Sequence, residues 1–139
     1  MKIAKKSHNV IDVFDDVKQG WEKWYLLRSD AHHDSAACDR EFEIQHLELA
    51  KERKAHILDF GDIFDAMQGR YDPRRSYPDM RQEYADAMIK NGSSYLDLIV
   101  NDAAKFYKPY RLMWLLQGYG NHETSIQKHI DTNLIERFA

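Results

Sequence analysis

Three short apolar runs, each ending in a polar motif and each set off from the next by a helix-forming segment, constrain this chain most. Trp24-Tyr25-Leu26-Leu27 leads to Asp30-Ala31-His32, and His56-Ile57-Leu58-Asp59-Phe60 leads to Gly61-Asp62-Ile63-Phe64-Asp65. Leu112-Met113-Trp114-Leu115-Leu116 leads to Gly120-Asn121-His122-Glu123. Apolar runs of this length read as buried strands. Strands that alternate with helices form a parallel sheet covered by helices. In such a sheet, ligands bind beyond the carboxyl ends of the strands.

The intervening segments complete the pattern. Val10, Val13, Phe14, Val17, Trp21 and Trp24 recur at three- and four-residue steps after a cap at Ser7 or Asn9, which predicts an amphipathic helix ending near Gly20. Asp39 to Lys54 lacks Gly and Pro, is acidic early and basic late, and predicts a helix packed on more than one side. Arg70 to Pro78 holds two prolines and reads as a surface loop. Tyr84, Met88, Tyr95, Ile99, Ala103 and Phe106 share a helical face that Asn91-Gly92-Ser93-Ser94 divides in two and Pro109 ends. A last helix is predicted from Thr124 or Ser125, with Ile126, Ile130 and Leu134 inward. The predicted order is α-β-α-β-α-β-α, one α/β domain over the 139 residues.

Composition excludes several classes. Twenty Lys and Arg stand against 23 Asp and Glu, so no global field favours nucleic acid or an anionic membrane, and any such preference must be local. A lone Cys38 excludes an internal disulfide framework and fits a reducing compartment. The basic start Met1 to Lys6 has no apolar stretch after it and does not read as a signal peptide. No apolar run reaches the roughly 20 residues of a membrane span, so a cytoplasmic protein is expected.

The motifs carry the chemistry. Asp, His and Asn side chains together form a mixed oxygen and nitrogen set suited to first-row divalent metals. Asp30 and His32 alternate with Ala31 on an extended segment, so both can face one cavity. His33 and Asp34 follow at once and read equally as a solvated loop or as residues behind the ligands. Gly61 permits close approach, Asp62 offers two oxygens to two cations, and Asp65 can orient an imidazole. Asn121 supplies a neutral oxygen ligand, and His122 can reach a phosphate oxygen or leaving group. Arg70, Arg74 and Arg75 could grip a phosphate or a nucleic-acid backbone, or lie on plain solvated loop. His46, His56 and His129 lie within predicted helices or a strand and read as ordinary histidines.

In order and spacing, these motifs resemble the calcineurin-like metallophosphoesterases, whose pattern runs D-x-H, G-D-x-x-D, G-N-H-[DE], a lone His, then G-H-x-H. The form Gly61-Asp62-Ile63-Phe64-Asp65 is similar to the G-D-x-F-D variant of the family's nuclease branch. The resemblance implies two divalent ions (Mn, Fe, Zn or Mg) and a bridging hydroxide that attacks phosphorus. Asp30 and His32 would bind the first ion, Asp62 would bridge both, and Asn121 would bind the second. His122 would stabilise or protonate the departing oxygen, with Asp65 and Glu123 standing behind the ligands. After His122 the chain holds only His129 and no G-H-x-H, so the resemblance covers the first half of the family's two-sheet sandwich. The expected function is hydrolysis of phosphomonoesters or phosphodiesters, nucleic acid among them, by an N-terminal portion of a longer enzyme or a reduced relative. The competing expectation is a non-catalytic binding module that keeps a partial fold. With the later histidines missing, at most one tightly bound ion and little or no hydrolysis by these 139 residues alone are expected. An uncovered sheet face or edge should favour a homo-oligomer.

Overall fold

The computed structural model describes residues 1–7, 10–66 and 79–139. Its elements are strands β1 (Lys2–Lys5), β2 (Ile11–Phe14) and β3 (Tyr25–Arg28), helix α1 (Arg40–Glu52), strand β4 (His56–Asp59), helices α2 (Gln82–Asn91) and α3 (Tyr95–Tyr107), strand β5 (Trp114–Gln117), and helices α4 (Asn121–Ile130) and α5 (Leu134–Phe138). The fold is mixed α/β, with a parallel sheet in the order β3-β4-β5.

Local sequence explains most of these elements. The Asp39 carboxylate accepts the Phe42 N–H at 2.9 Å and starts α1, with Glu41 and Glu43 in its first turn and Lys51 in its last. Gly92, at φ 63°, closes α2 in the left-handed conformation that glycine adopts without cost. Pro109 lies in a 3-10 turn over Lys108–Met113, so α3 stops at Tyr107. That turn takes Leu112 and Met113 out of the expected third strand, which runs instead from Trp114 to Gln117, and leaves Leu112 88% exposed.

The expected N-terminal helix is not formed. Lys2–Lys5 and Ile11–Phe14 pair as an antiparallel hairpin in the register Lys2↔Phe14 to Lys5↔Ile11. The stripe that suggested a helix has no core to enter, since Val10, Val13, Phe14 and Val17 are 38–56% exposed. Without burial to reward a helical period, β-branched Ile11 and Val13 take the extended state they prefer. Trp21 and Trp24 are likewise exposed.

The sheet has two unlike faces. Toward the helices lie Leu26 and Arg28 of β3, Ile57 and Asp59 of β4, and Trp114 and Gln117 of β5, in matching register. Arg28 is the hub of that face: it pairs with Asp59 at 2.8 Å and Glu43 at 2.6 Å, and donates to the Tyr107 hydroxyl at 2.9 Å. Its guanidinium also lies over the rings of Tyr107 and Trp114. The opposite face carries Tyr25, Leu27, His56, Leu58 and Leu116. β3 is an edge strand with Leu27 63% exposed, so it is not the fully buried strand that its composition predicts.

The core gathers Leu47, Ile57, Ile63, Phe64, Ile99, Ala103 and Leu134, all fully buried. Each of its larger side chains contributes about 1.5–3 kcal/mol. Of the three residues expected to face inward from the last helix, Ile126 is buried on α4 and Leu134 on α5, while Ile130 is 40% exposed where α4 ends. Among the described residues, no helix is long and apolar enough to cross a membrane.

Candidate functional site

The three motifs meet at the carboxyl ends of β3, β4 and β5, because the ladder continues past the strands. The N–H groups of Asp30, His32 and His33 donate to the carbonyls of Gly61, Asp62 and Ile63 at 3.0, 3.1 and 2.8 Å. The first motif is thereby laid alongside the second. Gly118 N–H donates to the Asp59 carbonyl at 2.7 Å and brings in the third.

Two glycines allow the second and third motifs to touch. A Cβ on Gly61, whose φ is 111°, would sit 2.3 Å from the Gly120 nitrogen. A Cβ on Gly120 would sit 2.0 Å from the Asp62 Oδ1. The same approach lets Asp62 Oδ1 accept the His122 N–H at 2.9 Å. Asp30, His32, Asp62 and Ala66 all hold left-handed backbone, with φ of 53°, 44°, 55° and 49°. Non-glycine residues adopt this region at a cost, and such positions gather at functional sites.

Glu123 fastens the junction from within. Its carboxylate is buried and accepts three backbone N–H groups: Gly120 at 2.9 Å, Asp62 at 3.1 Å and Phe64 at 3.0 Å. The helix carrying it starts at Asn121 rather than at Thr124 or Ser125, so His122 and Glu123 sit in its first turn. A glycine followed three residues later by glutamate is a capping-box spacing, which is the local signal for this earlier start.

Asp65 stands between two imidazoles. Its Oδ1 lies 3.3 Å from Nδ1 of both His32 and His122, and the two rings meet edge to face with centroids 4.6 Å apart. His122 Nδ1–H donates to the Asp65 carbonyl at 2.7 Å, which leaves Nε2 as the ring's free nitrogen. The Asp65 carboxylate raises His32 above its ordinary imidazole value and raises His122 to about 9. His122 and then His32 hold Asp65 well below the usual carboxylate range. Asp65 Oδ1 is buried with no hydrogen-bond donor aligned on it. Ligand atoms of His32, Asp65 and His122 lie within 4.8 Å of one another, so the donor chemistry and the orphaned oxygen fit a divalent cation.

The other expected site residues are placed as follows. Asp62 is buried beside this cluster with one oxygen engaged by the His122 N–H. Asp30 and Asn121 are exposed, at the end of β3 and the start of α4, and neither Asp30 nor Asp62 joins the group formed by His32, Asp65 and His122. Arg70, Arg74 and Arg75 lie outside the described residues.

Sequence reasoning missed what holds the site from below. Of the two readings open for His33 and Asp34, full burial favours residues behind the site over a solvated loop, and their partners are what the sequence did not show. Asp34 accepts the N–H groups of Asp65 and Ala66 at 2.6 and 2.9 Å and the Tyr95 hydroxyl at 2.5 Å. His33 Nε2 meets Asp102 at 3.2 Å, and Asp102 is also bound by Arg40 and Tyr84 at 2.6 Å. No family model, curated protein or solved structure matches this chain.

Proposed function

We propose that the chain is a metal-dependent phosphoesterase of the calcineurin-like kind, or the part of one that carries its first three motifs. The observation that supports this most is Asp65 Oδ1 set between two imidazoles where three strand-end loops meet. A divalent ion bound there would supply charge neutralisation for a phosphate and a lowered pKa for water. His32 is the imidazole assigned to hold the ion, with Asp62, Asp30 and Asn121 the further ligands that the motif resemblance implies. His122 is assigned to the proton. Its Nδ1 is committed to the Asp65 carbonyl, and its Nε2 is the nitrogen left to meet a departing oxygen. Asp65 orients both rings and stabilises the imidazolium. The substrate class is a phosphomonoester or phosphodiester, with nucleic acid favoured by the G-D-x-F-D form of the second motif. A cytoplasmic setting suits the single free thiol of Cys38.

Hydrolysis of bis(p-nitrophenyl) phosphate with added Mn²⁺ or Zn²⁺, run beside calorimetric metal titration, tests this reading. His122→Ala should keep metal binding and lower kcat by about 10²–10⁴-fold, the usual worth of a proton donor. Asp65→Asn should weaken both. Absence of metal binding in the wild-type chain would remove the proposal, whereas metal binding without turnover would assign the chain to the part of such an enzyme that carries its first three motifs.

A further inference from the structure

The outer edge of β3 is open. His56 N–H donates to the Trp24 carbonyl, Phe60 N–H to the Arg28 carbonyl, and Asp30 N–H to the Gly61 carbonyl, so these even-numbered residues face β4. Backbone groups alternate along a strand, which turns the N–H and C=O of Tyr25, Leu27 and Ser29 outward. Among the described residues no strand pairs with them. Neither proline nor lysine occurs from Tyr25 to Ser29 to guard that edge.

Beside the edge runs a cleft of about 610 Å³, walled by Leu26 to His32 on one side, with the candidate ligands Asp30 and His32 at its far end, and by Phe42, Glu43 and His46 of α1 on the other. Phe42, His46 and Leu49 make an unpartnered stripe along α1, with Phe42 55% and Leu49 44% exposed. Its end is marked by Arg53, whose guanidinium lies 4.2 Å from the Trp24 ring centroid. The helix expected to pack on two sides packs on one.

We propose that a second copy of this chain occupies this surface, with β3 pairing antiparallel to its counterpart across a twofold axis at Leu27. Charge is what selects a second copy over any other partner. The axis sets the two α1 helices antiparallel, so the exposed Asp39 at the start of one stripe faces the exposed Arg53 at the end of the other. In the ladder, Leu27 opposes itself and Tyr25 opposes Ser29 of the second copy, each with outward-facing backbone groups. The side-chain register is self-consistent as well, since residues an even number apart share a face. The sheet then continues through six strands, and Phe42, His46 and Leu49 of each copy cover the other.

The full chain should sediment at twice its monomer mass at micromolar to sub-millimolar concentration. Phe42→Glu combined with Leu49→Glu should give a monomer with unchanged circular dichroism, because both residues are solvent-facing within one copy. Leu27→Cys in a Cys38→Ser background should cross-link to a dimer on mild oxidation. The paired Cα atoms would stand about 5.5 Å apart, inside the roughly 4.4–6.8 Å that a disulfide spans. Leu112→Cys, at a position 88% exposed in the 3-10 turn after α3 and outside the β3 edge, should not cross-link. A wild-type monomer at the highest concentration overturns the proposal. So does a dimer that survives the paired glutamates, or one that the L27C thiols fail to lock.

Discussion

Glu123→Gln isolates the contribution of one buried carboxylate to the assembly of the site. The carboxylate satisfies three buried N–H groups, two on Oε2 and one on Oε1. The amide that replaces it has one accepting oxygen. With that oxygen toward Gly120 and Asp62, its NH₂ group meets the Phe64 N–H donor to donor. One orphaned buried N–H costs about 1–3 kcal/mol, and two charge-assisted bonds fall to neutral strength, each losing about half its worth. The sum is about 3 kcal/mol, a large part of the roughly 5–15 kcal/mol that holds a domain together. At roughly 3–4 °C per kcal/mol for a chain of this size, the melting temperature should fall by about 10 °C. Calorimetric melting of the metal-free protein measures it, with Glu52→Gln at the exposed end of α1 as a control expected to stay within about 0.5 kcal/mol. A drop of less than about 2 °C, at or below the effect of a single weak contact, would show that the three bonds do not fasten the loops.

Gly120→Ala should be more damaging than Gly92→Ala. The former drives a Cβ to 2.0 Å from Asp62 Oδ1 and 2.4 Å from the Asp62 nitrogen, whereas the latter meets nothing within 4 Å and costs only the strain of a left-handed alanine, about 1–2 kcal/mol. Thermal melts of both variants, with metal titration of the first, decide the order. Stability of the metal-free chain should also follow the Asp65 cluster. Asp65 has a lowered folded pKa, so its contribution is present above its unfolded value of about 4 and is lost as pH falls. His122 has a folded pKa of about 9, so its contribution is complete below an unfolded value of about 6.5 and is lost as pH climbs through 9. Denaturant titrations should therefore place the cluster's greatest effect between about pH 4 and 6.5, and Asp65→Asn should flatten both limbs.

What the sequence disclosed tracks what burial enforces. α1 is bounded by Asp39, which caps it, and α2 and α3 by Gly92 and Pro109, and each buries residues on one side (Leu47 and Ala50, Tyr84, and Ile99 with Ala103), so their signals are local and strong. The motif-bearing ends of β3, β4 and β5 were legible for the same reason, since apolar runs and glycine-aspartate turns mark them. The N-terminal hairpin was not. Its apolar residues are exposed, so no core imposed a period of two, and their chance spacing at three and four steps imitated a helix. The supports beneath the site were hidden by distance along the chain. His33 and Asp34 read equally as solvated loop or as residues behind the ligands until Asp102 and Tyr95, more than 60 positions away, close on them. Glu123 did carry a local signal, the glycine three places before it, but glycine lacks the side chain by which a capping box is recognised.

The left-handed backbone at Asp30, His32 and Asp62 bears on how such a chain drifts under mutation. Apart from glycine, the residues that tolerate this conformation best are asparagine, aspartate and histidine. Those three are also side chains that hold hard or borderline cations. Selection for folding alone thus confines these strand ends to a short alphabet, and most of its letters are ligands. A descendant freed from any catalytic duty would keep metal-binding side chains here long after its more exposed residues had changed, because the turn itself asks for them. The backbone, in that sense, stocks the site before chemistry selects from it.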